Sequence, residues 1–343
     1  MSAREFLQLS LKKFTDGYLL FLLLLGNVTA TALSTTESAL YASLAAVYFI
    51  IIFASIFGNS VVIHIIRTRH FLKNATNYLI LNQACADLII TFTVMRTMLS
   101  DELFYTKWFG GDWGHIMCKL LVWANFPAPF CSIWSLTAIA GDRYFAVVRP
   151  LHVSPISTHI KLVISLIWLW SLTSAAGMVS MAKLWLVNDI QYYCVIDFSH
   201  VELTTVNVTS LLIELLCNFA LPFVAMAVLY SIVCWRLLSR EVPGEGASQD
   251  QRHEEAMQTA KKVTRMMIIV VVLFGLCWFP FYIFIALDSL HKVFLPYAAV
   301  KFVVWLANAF SAINPYIYLS FNSRFRKEFV IIMRKFRRIC NCC

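Results

Sequence analysis

The chain is 343 residues long, 60% hydrophobic and 14% charged, with a net charge of +9 and a mean hydropathy of +0.72. Soluble domains carry about 25% charged residues, so the composition excludes an ordinary water-soluble fold and points to lipid as the solvent. The excess of 28 Lys and Arg over 19 Asp and Glu would elsewhere suggest nucleic acid; here the basic residues gather between apolar runs, which excludes that partner.

The first apolar stretch, Tyr18 to Leu25, is too short to cross a bilayer. It follows Lys12 and Lys13 and precedes small residues near Ala30, which reads either as a signal peptide over 1–30 or as an uncleaved outer tail. Cleavage would remove Asn27 of the Asn-Val-Thr sequon and leave Asn207-Val-Thr209 as the glycosylation acceptor. Crossing the hydrocarbon core takes about 20 apolar residues as a helix, because a helix satisfies its backbone groups internally. Runs of that length lie at 41–66, 77–100, 116–147, 160–182, 206–238, 264–288 and 296–320. No repeat of transporter type is visible.

Charge sets the expected orientation. With residues 31–40 outside, the inner connections hold most of the Lys and Arg, including Arg67, Arg69, Lys73, Arg143, Lys261 and Lys262. This is the positive-inside bias, and it turns the net charge toward anionic inner-leaflet lipid. An odd number of spans then puts residues 321–343 in the cytoplasm. The third inner connection, 239–262, contains the polar linker Val-Pro-Gly-Glu-Gly-Ala-Ser-Gln-Asp. After the last span, Phe325, Phe329 and Ile332 recur among basic residues at helical spacing, which predicts a short amphipathic helix on the inner surface. Beyond it, Cys340, Cys342 and Cys343 are either palmitoylation sites or unmodified thiols. Five other cysteines, Cys85, Cys131, Cys217, Cys234 and Cys277, lie inside apolar runs, where a thiol acts as a small hydrophobe. No pair has zinc-site spacing in a loop-rich context.

Polar groups inside spans are expensive and so are functional candidates. Asp87, in Asn82-Gln-Ala-Cys-Ala-Asp87, is the only carboxylate near a span centre. It has to meet a cation or take up a proton, with Asn59, Ser132, Ser311 and Asn314 as candidate neighbours; the alternative is a purely structural knot. At the cytoplasmic end of span three, Arg143 follows Asp142, and its guanidinium needs a partner or water. Pro280 removes a backbone hydrogen bond in span six and should kink it, so that small changes near Trp278 swing the inner end. Phe126-Pro127-Ala128-Pro129 should distort span three in its outer half.

These residues form a pattern. Gly58-Asn59, Ala86-Asp87, Asp142-Arg143-Tyr144, Trp168, Pro222 with Tyr230, Cys277-Trp278-Phe279-Pro280 and Asn314-Pro315-Tyr316-Ile317-Tyr318 occur in order on seven spans. In this the chain resembles rhodopsin-like (class A) G-protein-coupled receptors, over roughly 41–335. The resemblance implies an all-α membrane protein, a seven-transmembrane helix bundle over 41–320 with a short amphipathic C-terminal helix, at the plasma membrane. It implies no enzyme, and a heterotrimeric G protein, arrestin and membrane lipid as partners. It makes Trp278 a rotamer switch, Pro222, Ile133 and Phe274 a packing switch below it, and Tyr230 and Tyr318 two tyrosines that turn inward and bridge through water. Asp87, Ser132, Ser311 and Asn314 match a sodium site that favours the inactive state, although Phe310 replaces a polar residue often found there. Cys118 and Cys194 match a disulfide facing the oxidising side.

Departures bear on regulation and ligand. Ala260 stands where many members carry an acid facing the arginine, so a weak inner lock and some basal activity are expected. Asn308 replaces the lysine that a retinal opsin needs, and Asn125 the aspartate of amine receptors. The segment Trp185 to Phe198 is rich in β-formers around Cys194 and resembles the β-hairpin lid common in peptide receptors. Phe281 and Tyr282, one turn above Trp278, are similar to peptide-receptor sequences. The expected ligand is therefore an extracellular neuropeptide, with a non-peptide small molecule, or remotely a seven-helix transporter, as alternatives. Asp197, Glu202, Glu214 and Asp288 lie near the mouth; either they receive a cationic peptide with arginine near an amidated C-terminus, or the outer-loop acids are solvated surface charges. Asn125, Glu214, Trp278, Phe281, Tyr282, Asp288 and Asn308 form the expected pocket. No further cofactor is expected, and no zinc-type His-Glu-x-x-His or nucleophile elbow is present.

Overall fold

A computed structural model of the chain describes residues 30–95, 97–99, 108–187, 191–196, 205–239, 247–289 and 297–340. Among the described residues, seven helical segments are long and apolar enough to cross a membrane: Ser43–Thr68, Ala75–Leu99, Gly111–Val148, Ile160–Met181, Thr209–Leu238, Met257–Leu287 and Ala299–Phe321. They are called spans one to seven. Span three packs against spans two, four, five and six, while span seven packs against one, two and six. The core lies between them and includes Tyr48, Ile65, Ile80, Ile90, Leu136, Val270 and Phe310.

Two helices exceed the apolar runs that predicted them. The first begins at Ala30, and the helix carrying span six begins at Ala247 and runs to Ser289. Ala247 to Lys262, expected within the polar connection, is thus helical. Its composition explains this, since Gln, Arg, Glu, Ala, Met and Lys are good helix formers and Pro243, Gly244 and Gly246 all precede it.

The prolines act where expected. Span three is two helices, Gly111–Asn125 and Pro127–Val148, broken at Phe126. Pro127 has no N–H to give the Trp123 carbonyl, and the Phe126 N–H takes that carbonyl instead at 3.3 Å. In span seven Pro315 likewise leaves the Ser311 carbonyl free, and Asn59 Nδ2 from span one donates to it at 3.0 Å. Gly58 permits that approach, because a Cβ there would lie 2.6 Å from Pro315 Cγ.

At one end of the bundle, strands β1 (Ala182–Val187) and β2 (Gln191–Ile196) form an antiparallel hairpin with Leu184 opposite Cys194. A disulfide joins Cys194 to Cys118 in span three, and Trp108 pairs with Tyr192 along the hairpin's edge. At the other end, the helix Ser323–Cys340 follows span seven. Its apolar stripe docks on protein: Phe325 is fully buried, and the Phe329 ring meets Phe57 of span one edge-on at 6.4 Å. An ion pair between Arg69 and Glu328, 2.7 Å, holds the same junction.

Candidate functional site

The candidate residues form three connected layers from the hairpin end to the opposite end. Nearest the hairpin, span five opens into a π-helical stretch, Ile213–Ala220, that carries Glu214 and Asn218. The extra residue per turn rotates both side chains inward. Glu214 is 2% exposed; its Oε1 accepts a hydrogen bond from the Tyr282 hydroxyl of span six at 3.0 Å. Its Oε2, also buried, has no hydrogen-bond partner among the described residues. Nor is there an ion pair to Glu214 among them. Asn218 accepts from Trp170 Nε1 at 2.9 Å, and its own Nδ2 has no partner among the described residues. Asn125, just before the break in span three, has a buried Oδ1 with no partner among the described residues. This end therefore holds an acidic, hydrogen-bond-capable nest inside apolar walls.

Of the other expected pocket residues, Phe281 and Tyr282 lie against Trp278, with ring centroids 5.8 and 6.1 Å away. Asn308 does not join them by a hydrogen bond: its Nδ2 donates to the Val304 carbonyl of its own helix at 2.8 Å. Asp288 sits in the helix of span six, but its side chain lies outside the described residues, as do Asp197 and Glu202.

Below the nest runs a column of rings. Phe219 stacks on Tyr282 at 4.1 Å, Trp278 on Phe274 at 5.9 Å, and Phe274 meets Phe310 edge-on at 5.3 Å. Ile133 and Pro222 are buried at the same level. Aromatic pairs in these geometries are favourable beyond their burial. The column crosses span six beside Pro280, where its helix lacks a hydrogen bond.

The middle layer centres on Asp87, fully buried. Ser132 Oγ donates to Asp87 Oδ1 at 3.4 Å and Asn314 Nδ2 to Oδ2 at 3.2 Å. Ser311, one turn before Asn314, adds its hydroxyl to the same surroundings. The four residues expected together are together. Asn314 Oδ1 is buried without a partner among the described residues, which adds a free oxygen, whereas Phe310, the chain neighbour of Ser311, turns an apolar ring to Phe274. Around this centre are polar residues the sequence reading did not single out. Gln83 accepts from the Tyr318 hydroxyl at 2.9 Å, and Ser55 and Thr91 share a hydrogen bond of 2.6 Å. Asn82 bonds Ser135 at 2.9 Å and accepts from Trp168 Nε1 at 2.9 Å. An amide inside a span is costly, and that cost is the signal by which Gln83 and Asn218 could have been found.

At the far end, Arg143 Nη2 pairs with Asp142 Oδ2 at 2.8 Å. Thr76 of span two donates to the same oxygen at 2.5 Å and accepts from Arg143. Arg143 Nε is buried and has no partner among the described residues. A cavity of about 310 Å³ opens here, lined by Thr76, Asp142, Arg143, Phe145, His152 and Ser154. Ala260, at the position where many members carry an acid, lies with Met257 and Tyr144 against the apolar cluster Val147, Val233 and Leu237. Tyr230 is buried on span five. Asn207 falls in the helical start of span five and Cys340 ends the last helix, with side chains outside the described residues; Asn27, Cys342 and Cys343 lie wholly outside them.

Sequence comparisons agree with this arrangement. Residues 58–318 match the profile of the 7 transmembrane receptor (rhodopsin family). The substance-P receptor of Aquarana catesbeiana is 32% identical over 292 residues, covering 84% of this chain and 69% of that protein. The human substance-P receptor is 32% identical over 294 residues, 83% and 69% respectively. The neuromedin-K receptor of Rattus norvegicus is 30% identical over 287 residues, 82% of this chain and 61% of that protein.

Proposed function

The chain belongs to the seven-transmembrane receptor family of the rhodopsin type and is a G-protein-coupled receptor; on that premise we propose that a peptide bound at the hairpin end activates it. The observation that carries the reading is the path of contacts from the Glu214–Tyr282 hydrogen bond through Trp278 and Phe274 to Phe310, the chain neighbour of Ser311. A ligand that displaces Tyr282 presses on rings that border the Pro280 kink, and a kinked helix turns a small push into a larger swing at its far end. Release of Arg143 from Asp142 and Thr76 then offers its guanidinium to the backbone of a G-protein helix, with arrestin as a second occupant of the same opening. Tyr230 and Tyr318 turn inward and support that state.

The hairpin end faces outward in this reading, because a disulfide persists on the oxidising side. The opposite end, rich in Arg and Lys, faces the cytoplasm and anionic lipid. Asn207 is then placed for glycosylation, and Cys340, Cys342 and Cys343 for palmitoylation. The relatives are receptors for substance P and neuromedin K by name, and Glu214 suits a ligand with a cationic group. Asp87, Ser132, Ser311 and Asn314 supply one carboxylate and several neutral oxygens, a set suited to a hard monovalent cation such as sodium. Among the described residues there is no cluster of three acidic, His or Cys side chains, which disfavours a divalent metal.

The test is ligand-dependent GTP loading of co-reconstituted G proteins, screened with amidated cationic peptides. A peptide agonist is expected, and Glu214→Gln weakens it about tenfold or more by removing a buried charge partner. Replacing sodium chloride with N-methylglucamine chloride raises its potency. Activation by non-peptide ligands alone defeats the peptide reading, unchanged potency in Glu214→Gln the charge pairing, and no response to the salt exchange the sodium site.

A further inference from the structure

We propose that Gln83 is a positioning residue that holds Tyr318 in its resting place and ties that place to the Asp87 centre. Gln83 lies on span two one turn before Asp87 and is fully buried. Its Oε1 accepts from the Tyr318 hydroxyl at 2.9 Å, and its Nε2 donates to Ser132 Oγ at 3.4 Å. Ser132 in turn donates to Asp87, and Asp87 accepts from Asn314. Asn314 and Tyr318 are one turn apart on span seven, so the bonds close a ring through spans two, three and seven.

The ring has a direction. A phenol has one proton and a serine hydroxyl has one. The Tyr318 proton is committed to Gln83. By accepting from the Gln83 amide, Ser132 keeps its own proton aimed at Asp87. An aliphatic side chain at position 83 breaks both arms at once: Tyr318 is left with a buried, unpartnered hydroxyl, which is costly, and Ser132 loses the donor that orients it. Span seven is the element free to respond, because Pro315 has no N–H for the Ser311 carbonyl and so interrupts the helix just before the turn that carries Tyr318. Asn59 pins the Ser311 carbonyl on the hairpin side of that interruption. Movement is thereby confined to the segment that carries Tyr318. Loss of Gln83 lowers the preference for the resting arrangement over any in which Tyr318 finds another partner.

The inference rests on the receptor reading above, and its test separates the two. Full-length receptor in lipid nanodiscs is prepared with Gln83→Met, Gln83→Leu or Gln83→Glu. A fluorine label on Lys261→Cys, near the Arg143 end of span six, reports conformation without any G protein, and GTP loading reports coupling. Without ligand, the two apolar variants are expected to raise the population of the shifted resonance about fivefold, the order expected for one lost hydrogen bond, and GTP loading with it. Protonated glutamic acid retains a donor and an acceptor, so Gln83→Glu stays within about twofold of the parent on the same scale. An unchanged fluorine spectrum in both apolar variants overturns the proposal. Failure of both to accumulate as folded receptor also overturns it, since Gln83 would then serve the fold alone. A shifted spectrum without GTP loading upholds the role of Gln83 and counts against G-protein coupling instead.

Discussion

Thr76 shows how one hydroxyl changes the meaning of its neighbours. It donates to Asp142 and accepts from Arg143, so the ion pair at the end of span three is a three-part knot anchored on span two. Ala260 supplies no acid, and the resting hold on Arg143 comes from Thr76 and Asp142. Thr76→Val keeps the shape and removes both bonds; unliganded GTP loading should rise about threefold or more, since a net hydrogen bond shifts a two-state balance by that order. Loading equal to the parent would show that Asp142 alone suffices. Glu214 makes a related point, because its spare oxygen is buried among aromatic side chains, where an unmatched carboxylate is far costlier than at a solvated rim.

At the scale of elements, the breaks in the helices matter as much as the helices. Pro127 divides span three just below Cys118, and Pro315 opens span seven beside the Asp87 centre. Each missing bond is answered locally: the Phe126 N–H takes the Trp123 carbonyl, and Asn59 takes that of Ser311. The second answer depends on Gly58 allowing spans one and seven to touch. Gly58→Val places carbon where Pro315 Cγ already lies, and overpacking of this kind costs about 1–3 kcal/mol. A lowered thermal unfolding midpoint in detergent is expected. A midpoint equal to the parent would mean that spans one and seven part without cost and that the Asn59 contact is not needed.

For the whole molecule, the function proposed above, with seven spans and a docked last helix, puts the two chain ends on opposite faces of the bilayer. Epitope tags on the two termini of intact cells check this: the N-terminal tag, or one inserted after any cleavage point, is reached from outside and the C-terminal tag only after permeabilisation. Tags on one face would remove the geometry on which the ligand and G-protein ends depend. The hairpin fits the same proposed polarity, since Cys118–Cys194 fastens β2 across the hairpin end of span three. The terminal helix completes the opposite end through Phe325, Phe329 and the Arg69–Glu328 pair.

Much of this was determined by sequence alone, because the cost of unpaired backbone in lipid leaves few options for long apolar runs. The spans, the break at Pro127, the hairpin around Cys194, the disulfide and the gathering of Asp87 with Ser132, Ser311 and Asn314 all follow from local pattern or family resemblance. Tertiary structure decided what each polar side chain does with its limited protons. Side-chain partners lie on other helices, so no spacing along the chain reveals that Thr76 reaches Arg143, that Tyr282 reaches Glu214 or that Gln83 takes the proton of Tyr318. Rotation of the helices about their own axes sets those pairings, and close packing of the bundle sets that rotation.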